Sequence, residues 1–357
     1  MAALYQRWGL PTVSAVPDLT PYRLLHEEGP LGLRWDDWPN ADYVLLPFDW
    51  AYARSRQGAT VVEMLTTRAQ RDRKHLLVFY WSDDETPIPL KEATVFRTSL
   101  RRDERYWRSV FTMPGWLRDP LGLVEGASAG PRAKRLTPLV GFCGHTVLRR
   151  DAMSLPSRAR RLLRSSLVRL RVLEPRPPTP LFLRRLALDT IRSDRRLATN
   201  FIEREAFFGG AANLHDGTWD KARLEIVRRD YALNIVNCDY TLCIRGAGNF
   251  SHRYFDTLAA GRIPVLIDTA GGLPYDFLVD WRSSGLILSV GDLPRLPDAL
   301  LSFHNALHPD DFVQLQLDNR KRFLSFLTPD GFFRHFPAHF NRGHWRGAEA
   351  SDAKAHA

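Results

Sequence analysis

Cysteine is scarce in this sequence, with three residues in 357. Cys143, Cys238 and Cys243 form no Cys-x-x-Cys pair. A disulfide framework and a thiolate zinc site are therefore not encoded, and a reducing compartment is expected. Long apolar runs are missing too, since none reaches the roughly 18 residues of a membrane span. The opening stretch MAALYQRWGLP has no signal-peptide core. A soluble, cytoplasmic protein is expected, with peripheral contact at the inner membrane face as a further expectation. No internal repeat is present. Acidic residues are the minority: 40 Asp and Glu stand against 50 Lys and Arg, a net charge of +10. A basic surface of this kind attracts anions, and an arginine excess suits bidentate recognition of phosphate or carboxylate.

The chain is long enough for two domains of ordinary size. Its first part carries short continuous apolar runs at Tyr43–Pro47, Leu76–Tyr80, Thr94–Arg97 and Val110–Met113, with a helical segment at 58–71. Continuous rather than alternating runs predict strands covered on both faces. The small, charged stretch Glu125–Pro138 marks a domain boundary, in preference to the proline-rich Glu174–Pro180. Beyond it, LVGFCG at Leu139–Gly144 opens a second sheet. Further strands are predicted at Tyr240–Ile244, Ile263–Ile267 and Leu286–Val290. Helices are predicted at Arg158–Val172, Asp220–Val236, Ser251–Ala260, Leu293–Leu307 and Asp310–Leu327. Strand–helix–strand spacing builds parallel sheets. The expectation is an α/β protein with one domain over 1–130, a second over 138–342 and a disordered tail over 343–357.

One stretch concentrates the chemistry: CIRGAGNFSHRYFDTLAAGRIPV, Cys243 to Val265. It leaves a strand, passes two glycines and enters a helix. Gly246 and Gly248 allow close backbone approach or positive φ. Ser251 is placed as N-cap, with His252 and Arg253 in the first turn. A helix N-terminus carries unpaired N–H groups and partial positive charge. Arg245 and Arg253 add full charges, and a diphosphate would satisfy all of these groups. Asp256 lies three residues beyond Arg253 on the same face, in reach of ribose hydroxyls. The plain alternative is a tight turn followed by a surface ion pair.

This stretch resembles the exostosin family of glycosyltransferases. The family pattern is a Cys-x-x-Arg-Gly loop, a Ser-x-Arg-x-x-Glu helix and an Ile/Val-Pro-Val strand. Here it falls on Cys243, Arg245, Gly246, Ser251, Arg253, Asp256, Gly261, Pro264 and Val265, with Asp256 where the family has Glu. Leu273–Trp281 resembles a family Leu-Pro-Phe…Trp segment. Asn40–Trp50 and Leu139–Thr146 are weaker echoes. The resemblance implies a GT-B architecture, two Rossmann-like α/β domains facing a central cleft. It implies a nucleotide sugar, UDP-linked, held by the second domain, a glycan or lipid-linked acceptor on the first, and transfer with inversion.

Transfer with inversion needs a base near the acceptor hydroxyl. Asp83 and Asp84 in WSDDE (Trp81–Glu85) sit at a strand end and are candidates; so is His145 after LVGFCG. The plain readings are a solvated acidic turn and a histidine that caps the following turn. No metal and no cofactor is expected, because the arginines and helix terminus can neutralise a diphosphate. Trp35, Trp38 and Trp50 are either a sugar-stacking wall or core. Ser157–Arg171, with six arginines, is either a solvated helix face or a contact to anionic membrane or acidic glycan. A second class of function is a non-catalytic basic protein that binds acidic polysaccharide or RNA. Charge alone supports it, and no RNA-module signature is present, so a nucleic-acid partner is not expected.

Overall fold

The computed structural model describes residues 36–90, 92–102, 109–116, 119–126, 130–146, 179–211 and 219–340. The helix expected over 158–172, the tail over 343–357 and Trp35 lie outside them.

Two parallel sheets organise the chain. The first holds β1 (Tyr43–Leu45), β2 (His75–Tyr80), β3 (Ala93–Arg97) and β4 (Val110–Thr112), in that order. Successive β2 residues point to opposite faces. Leu76 and Val78 enter one core with Val61, Leu65 and Ala69 of α2 (Arg56–Arg71), which follows the short α1 (Trp50–Ala53). Leu77 and Phe79 enter another core on the far side. Both faces are covered, which is why the run is apolar throughout. Helix α2 starts two residues before the predicted helix because the Ser55 side chain caps it by accepting from the Gly58 N–H.

The second sheet runs β6 (Ala198–Arg204), β5 (Leu139–His145), β7 (Tyr240–Cys243), β8 (Ile263–Asp268), β9 (Leu286–Ser289), all parallel. Helices α3 (Pro180–Arg192), α4 (Lys221–Asn237), α5 (His252–Ala259), α6 (Leu296–Ala306) and α7 (Pro309–Arg322) accompany it. Val140, Phe142, Leu242, Val265 and Ile267 pack with Leu188, Ile191, Leu296 and Leu300 in its main core. The proline-rich stretch ends where α3 begins, with Thr179 as N-cap and Pro180 in the first turn.

The chain then returns. Helix α8 (Pro329–His335) and the turn after it put Phe332, Phe333 and Phe336 against Leu77, Phe79 and Phe96 of the first sheet. These residues were expected within the second domain, and they form the missing cover of the first. The carboxyl ends of the two sheets meet. Asn249 donates its N–H to Ser99 Oγ at 2.8 Å, and Gly272 N–H bonds Leu100 O at 2.8 Å. Arg102 N–H bonds Ala270 O at 2.8 Å. Two parallel α/β units thus meet at the carboxyl ends of their sheets, consistent with the expected two-domain α/β architecture.

Candidate functional site

Strand order in the second sheet reverses between β5 and β7, since β6 lies outside β5 while β7, β8 and β9 run the other way. Open parallel sheets bind ligands at the carboxyl ends flanking such a point. His145 ends β5 and Arg245 follows β7, so both stand there.

Arg184 of α3 joins the two strand ends. Its guanidinium donates to His145 O at 2.9 Å and to Arg245 O at 3.0 Å. Arg253 reaches from α5 to Cys143 O at 2.8 Å and stacks over the Phe142 ring at 4.4 Å. Gly144 leaves room for it: a Cβ there would sit 2.7 Å from the Arg253 guanidinium. The Nε atoms of both arginines are buried with no hydrogen-bond partner. Among the described residues neither arginine pairs with a carboxylate. Burial and the neighbouring Arg253 charge pull Arg184 down to about 10. Its neighbour Arg185 is the contrast, being buried but bonded to Asp189 and Glu203. Buried charge without a counter-ion is costly.

The mouth of α5 lies alongside. Ser251 is in the N-cap position, yet its side chain makes no capping bond, which leaves first-turn N–H groups open. Arg245, Ser251, Asp268 and Thr269 line a small pocket of about 30 Å³. Gly246 and Gly248 do not adopt positive φ. Gly248 is required by close approach, because a Cβ would meet Asp83 Oδ1 at 2.7 Å across the cleft. A Cβ on Gly246 would meet nothing within 4 Å.

Other expected residues sit differently. Asp256 is 7% exposed and faces α4, where it accepts from Tyr231 Oη at 2.6 Å. It is neither at the helix mouth nor on the surface. Burial pushes its carboxyl up to about 7. His252 is wedged against Gly115 of the first unit, and burial pushes it down to about 4. It is a neutral packing group between the units. Asp84 is consumed by structure: it accepts from Thr86 N–H at 2.8 Å, Thr86 Oγ1 at 2.6 Å, Tyr80 Oη at 2.9 Å and Arg54. Those bonds, Thr86 foremost, hold it well below the usual carboxylate range. A carboxylate so saturated is a poor base, so the expectation for Asp84 is corrected. Asp83 is exposed at the cleft, against Gly248. His145 is half-buried and shifted below its ordinary value, by burial first and by Arg184 second. It is therefore neutral near pH 7 and able to take a proton. Trp38 and Trp50 belong to the first core; Trp38 is covered by Arg68 at 4.0 Å and donates to Asp72 at 2.7 Å.

Arg184 was missed from sequence. Its signal was there, since positions 184, 188 and 191 share one helix face and the other two are buried leucine and isoleucine.

Compared with known proteins, the chain matches Exostosin-1 of Drosophila melanogaster at 33% identity over 89 residues, which is 25% of this chain and 12% of that protein. Over that quarter of its length it is exostosin-like. It also matches the Exostosin-1 homolog of Caenorhabditis elegans, 31% identical over 78 residues, 22% of this chain and 20% of that protein. A "Probable glycosyltransferase" of Arabidopsis thaliana is 33% identical over 72 residues, 20% of this chain and 14% of that protein. The exostosin-like segment thus spans a fifth or less of these relatives' own length. Compared with models of known protein families, the chain matches none. Among solved structures, Staphylococcus aureus TarM is similar with a TM-score of 0.35 and 10% identity, over 78% of this chain and 58% of that one. WaaG, a glycosyltransferase of lipopolysaccharide biosynthesis, is similar with a TM-score of 0.34 and 10% identity, over 78% of this chain and 83% of that one. No helix among the described residues is long and apolar enough to cross a membrane.

Proposed function

We propose that this exostosin-like chain is a glycosyltransferase that takes a UDP-linked sugar on its second α/β unit and transfers it, with inversion, to a glycan or lipid-linked acceptor in the cleft. The observation that carries the reading is the arginine pair at the sheet's switch point, Arg253 buried and Arg184 half-buried, each with a buried Nε that has no hydrogen-bond partner and neither in an ion pair among the described residues. A diphosphate supplies the missing charge, with Arg245 and the uncapped α5 terminus beside it. In the reaction the acceptor oxygen bonds the anomeric carbon as the carbon–oxygen bond to the diphosphate breaks. The arginines stabilise the departing UDP. The hydroxyl proton goes to a base, for which Asp83 and His145 are the available groups.

The test is calorimetric titration with UDP, with and without EDTA. Loss of one charge-assisted contact is worth about 1.5–3 kcal/mol, so Arg184→Ala or Arg253→Ala lowers UDP affinity by about ten- to a hundredfold. EDTA leaves it unchanged. Unaltered affinity in the folded variants refutes the reading. A non-catalytic basic protein would release no UDP from a UDP-sugar, so a UDP-release assay separates the two classes of function.

A further inference from the structure

Three large aromatic side chains stand out in water beside this site. Phe207 is 57% exposed, Phe208 38% and Trp219 47%. They form one contiguous surface: the Phe207 and Phe208 rings are 4.3 Å apart at 63°, and Phe208 and Trp219 are 5.3 Å apart at 66°. Edge-to-face contacts of this kind hold the three rings together as one exposed aromatic surface. The backbone that presents them is held in an unfavourable shape. Phe208 has φ 49° and ψ 33°, and Gly209 and Gly210 follow at φ 58° and 77°. A phenylalanine in the left-handed region costs about 1–2 kcal/mol, and burial does not repay it here.

The position of this aromatic surface gives it meaning. The turn that carries Phe207 and Phe208 leaves the end of β6, whose last residue Arg204 is in register with His145 of β5. Thr146 N–H bonds Arg204 O at 3.2 Å. The aromatic surface therefore lies one strand outside the arginine pair, on the same carboxyl edge. Asp220 N–H bonds Ala211 O at 2.9 Å and ties Trp219 to the turn. Beside it is the exposed Arg223, whose guanidinium lies 3.5 Å from where a Cβ on Gly210 would sit.

We propose that Phe207, Phe208 and Trp219 form a carbohydrate-stacking slot that holds a pyranose ring next to the arginine pair, with Arg223 donating to its hydroxyls. One face of a pyranose carries C–H groups with partial positive charge, and an aromatic face carries the complementary quadrupole. The rim of hydroxyls suits an exposed guanidinium. The aromatic surface follows the carboxyl end of β6, the ligand end of the sheet. That the ring belongs to the acceptor rests on the glycosyltransferase reading; the slot itself does not.

The experiment uses the full chain, with Phe208→Ala and Trp219→Ala variants checked for unchanged melting temperature. These side chains are exposed, so the fold is retained. Chitohexaose, cellohexaose and a hyaluronan hexasaccharide are titrated by calorimetry, and UDP separately. At least one oligosaccharide binds wild type, and each variant loses about tenfold in affinity, the effect of 1.4 kcal/mol. UDP affinity stays within twofold. Failure of all three sugars to bind wild type overturns the slot, as does equal binding by the variants. Two further results overturn it: variant-sensitive binding to phosphatidylserine vesicles without sugar binding, and a dimer in light scattering that the variants dissolve. Loss of UDP binding with sugar binding intact counts against the donor site alone.

Discussion

Asp256→Asn is expected to stabilise the protein at pH 8, although the position matches a family glutamate. In the folded chain the Asp256 carboxyl is buried against Tyr231 and pushed up to about 7. In the unfolded chain it titrates near its ordinary 3.8. Between these values the folded state binds more protons than the unfolded state, so stability falls as pH rises. The penalty is absent below about pH 4 and complete above about pH 7. At 1.36 kcal/mol per pH unit, it amounts to about 4 kcal/mol. Asparagine removes the charge and keeps an oxygen to accept from Tyr231. Its amide N–H₂ lacks a partner there, which costs about 1–2 kcal/mol. A net gain of about 2–3 kcal/mol at pH 8 remains, and at pH 4, where the penalty is absent, the variant is less stable by the amide cost of about 1–2 kcal/mol. Urea unfolding of wild type and variant at both pH values reads the difference. A variant less stable than wild type at pH 8, or a gain equal at pH 4 and pH 8, refutes the reasoning. Either result would mean that the carboxylate is ionised in place, as a ribose contact requires, and UDP affinity would then fall in the variant as well.

Gly144→Ala brings a methyl group to 2.7 Å from the Arg253 guanidinium. Displacing that group from Cys143 O is expected to cut UDP affinity about tenfold, read by calorimetry, with melting temperature nearly unchanged. Asp84→Ala strips Thr86, Tyr80 and Arg54 of a shared acceptor; since the site is partly open to water, about 1 kcal/mol of stability is lost. UDP release from a UDP-sugar persists in Asp84→Ala and drops in whichever of Asp83→Asn and His145→Ala removes the base. Asp239→Ala deletes a fully buried carboxylate that accepts from Arg132 Nε at 3.2 Å and Leu139 N–H at 3.0 Å. Leaving those groups unpaired costs about 3 kcal/mol in urea unfolding, with UDP binding retained in the folded fraction.

What the sequence determines here is local. Leu76–Tyr80 and Tyr240–Ile244 are legible as strands because both faces of each sheet are buried, which makes the runs apolar apart from the buried Thr241. The loop and helix from Arg245 to Asp256 are legible because Gly248 must let the backbone approach Asp83 and Ser251 stands at the N-cap position of α5. Strand β6 is not legible: it is an edge strand, Asn200, Glu203 and Arg204 interrupt it, and its side chains are only partly buried. Tertiary structure decides the rest. Whether Asp256 looks out to a ligand or in to Tyr231 depends on where α4 lies, 25 residues away in sequence. Arg184 becomes a site residue only because α3 crosses the ends of β5 and β7. Trp38 becomes core because α2 sets Arg68 over it. The return of Phe332, Phe333 and Phe336 to the first sheet rests on apolar contacts spanning more than 200 residues. Hydrophobic attraction has no direction of its own, so only the assembled shape of the two sheets selects the face those rings cover.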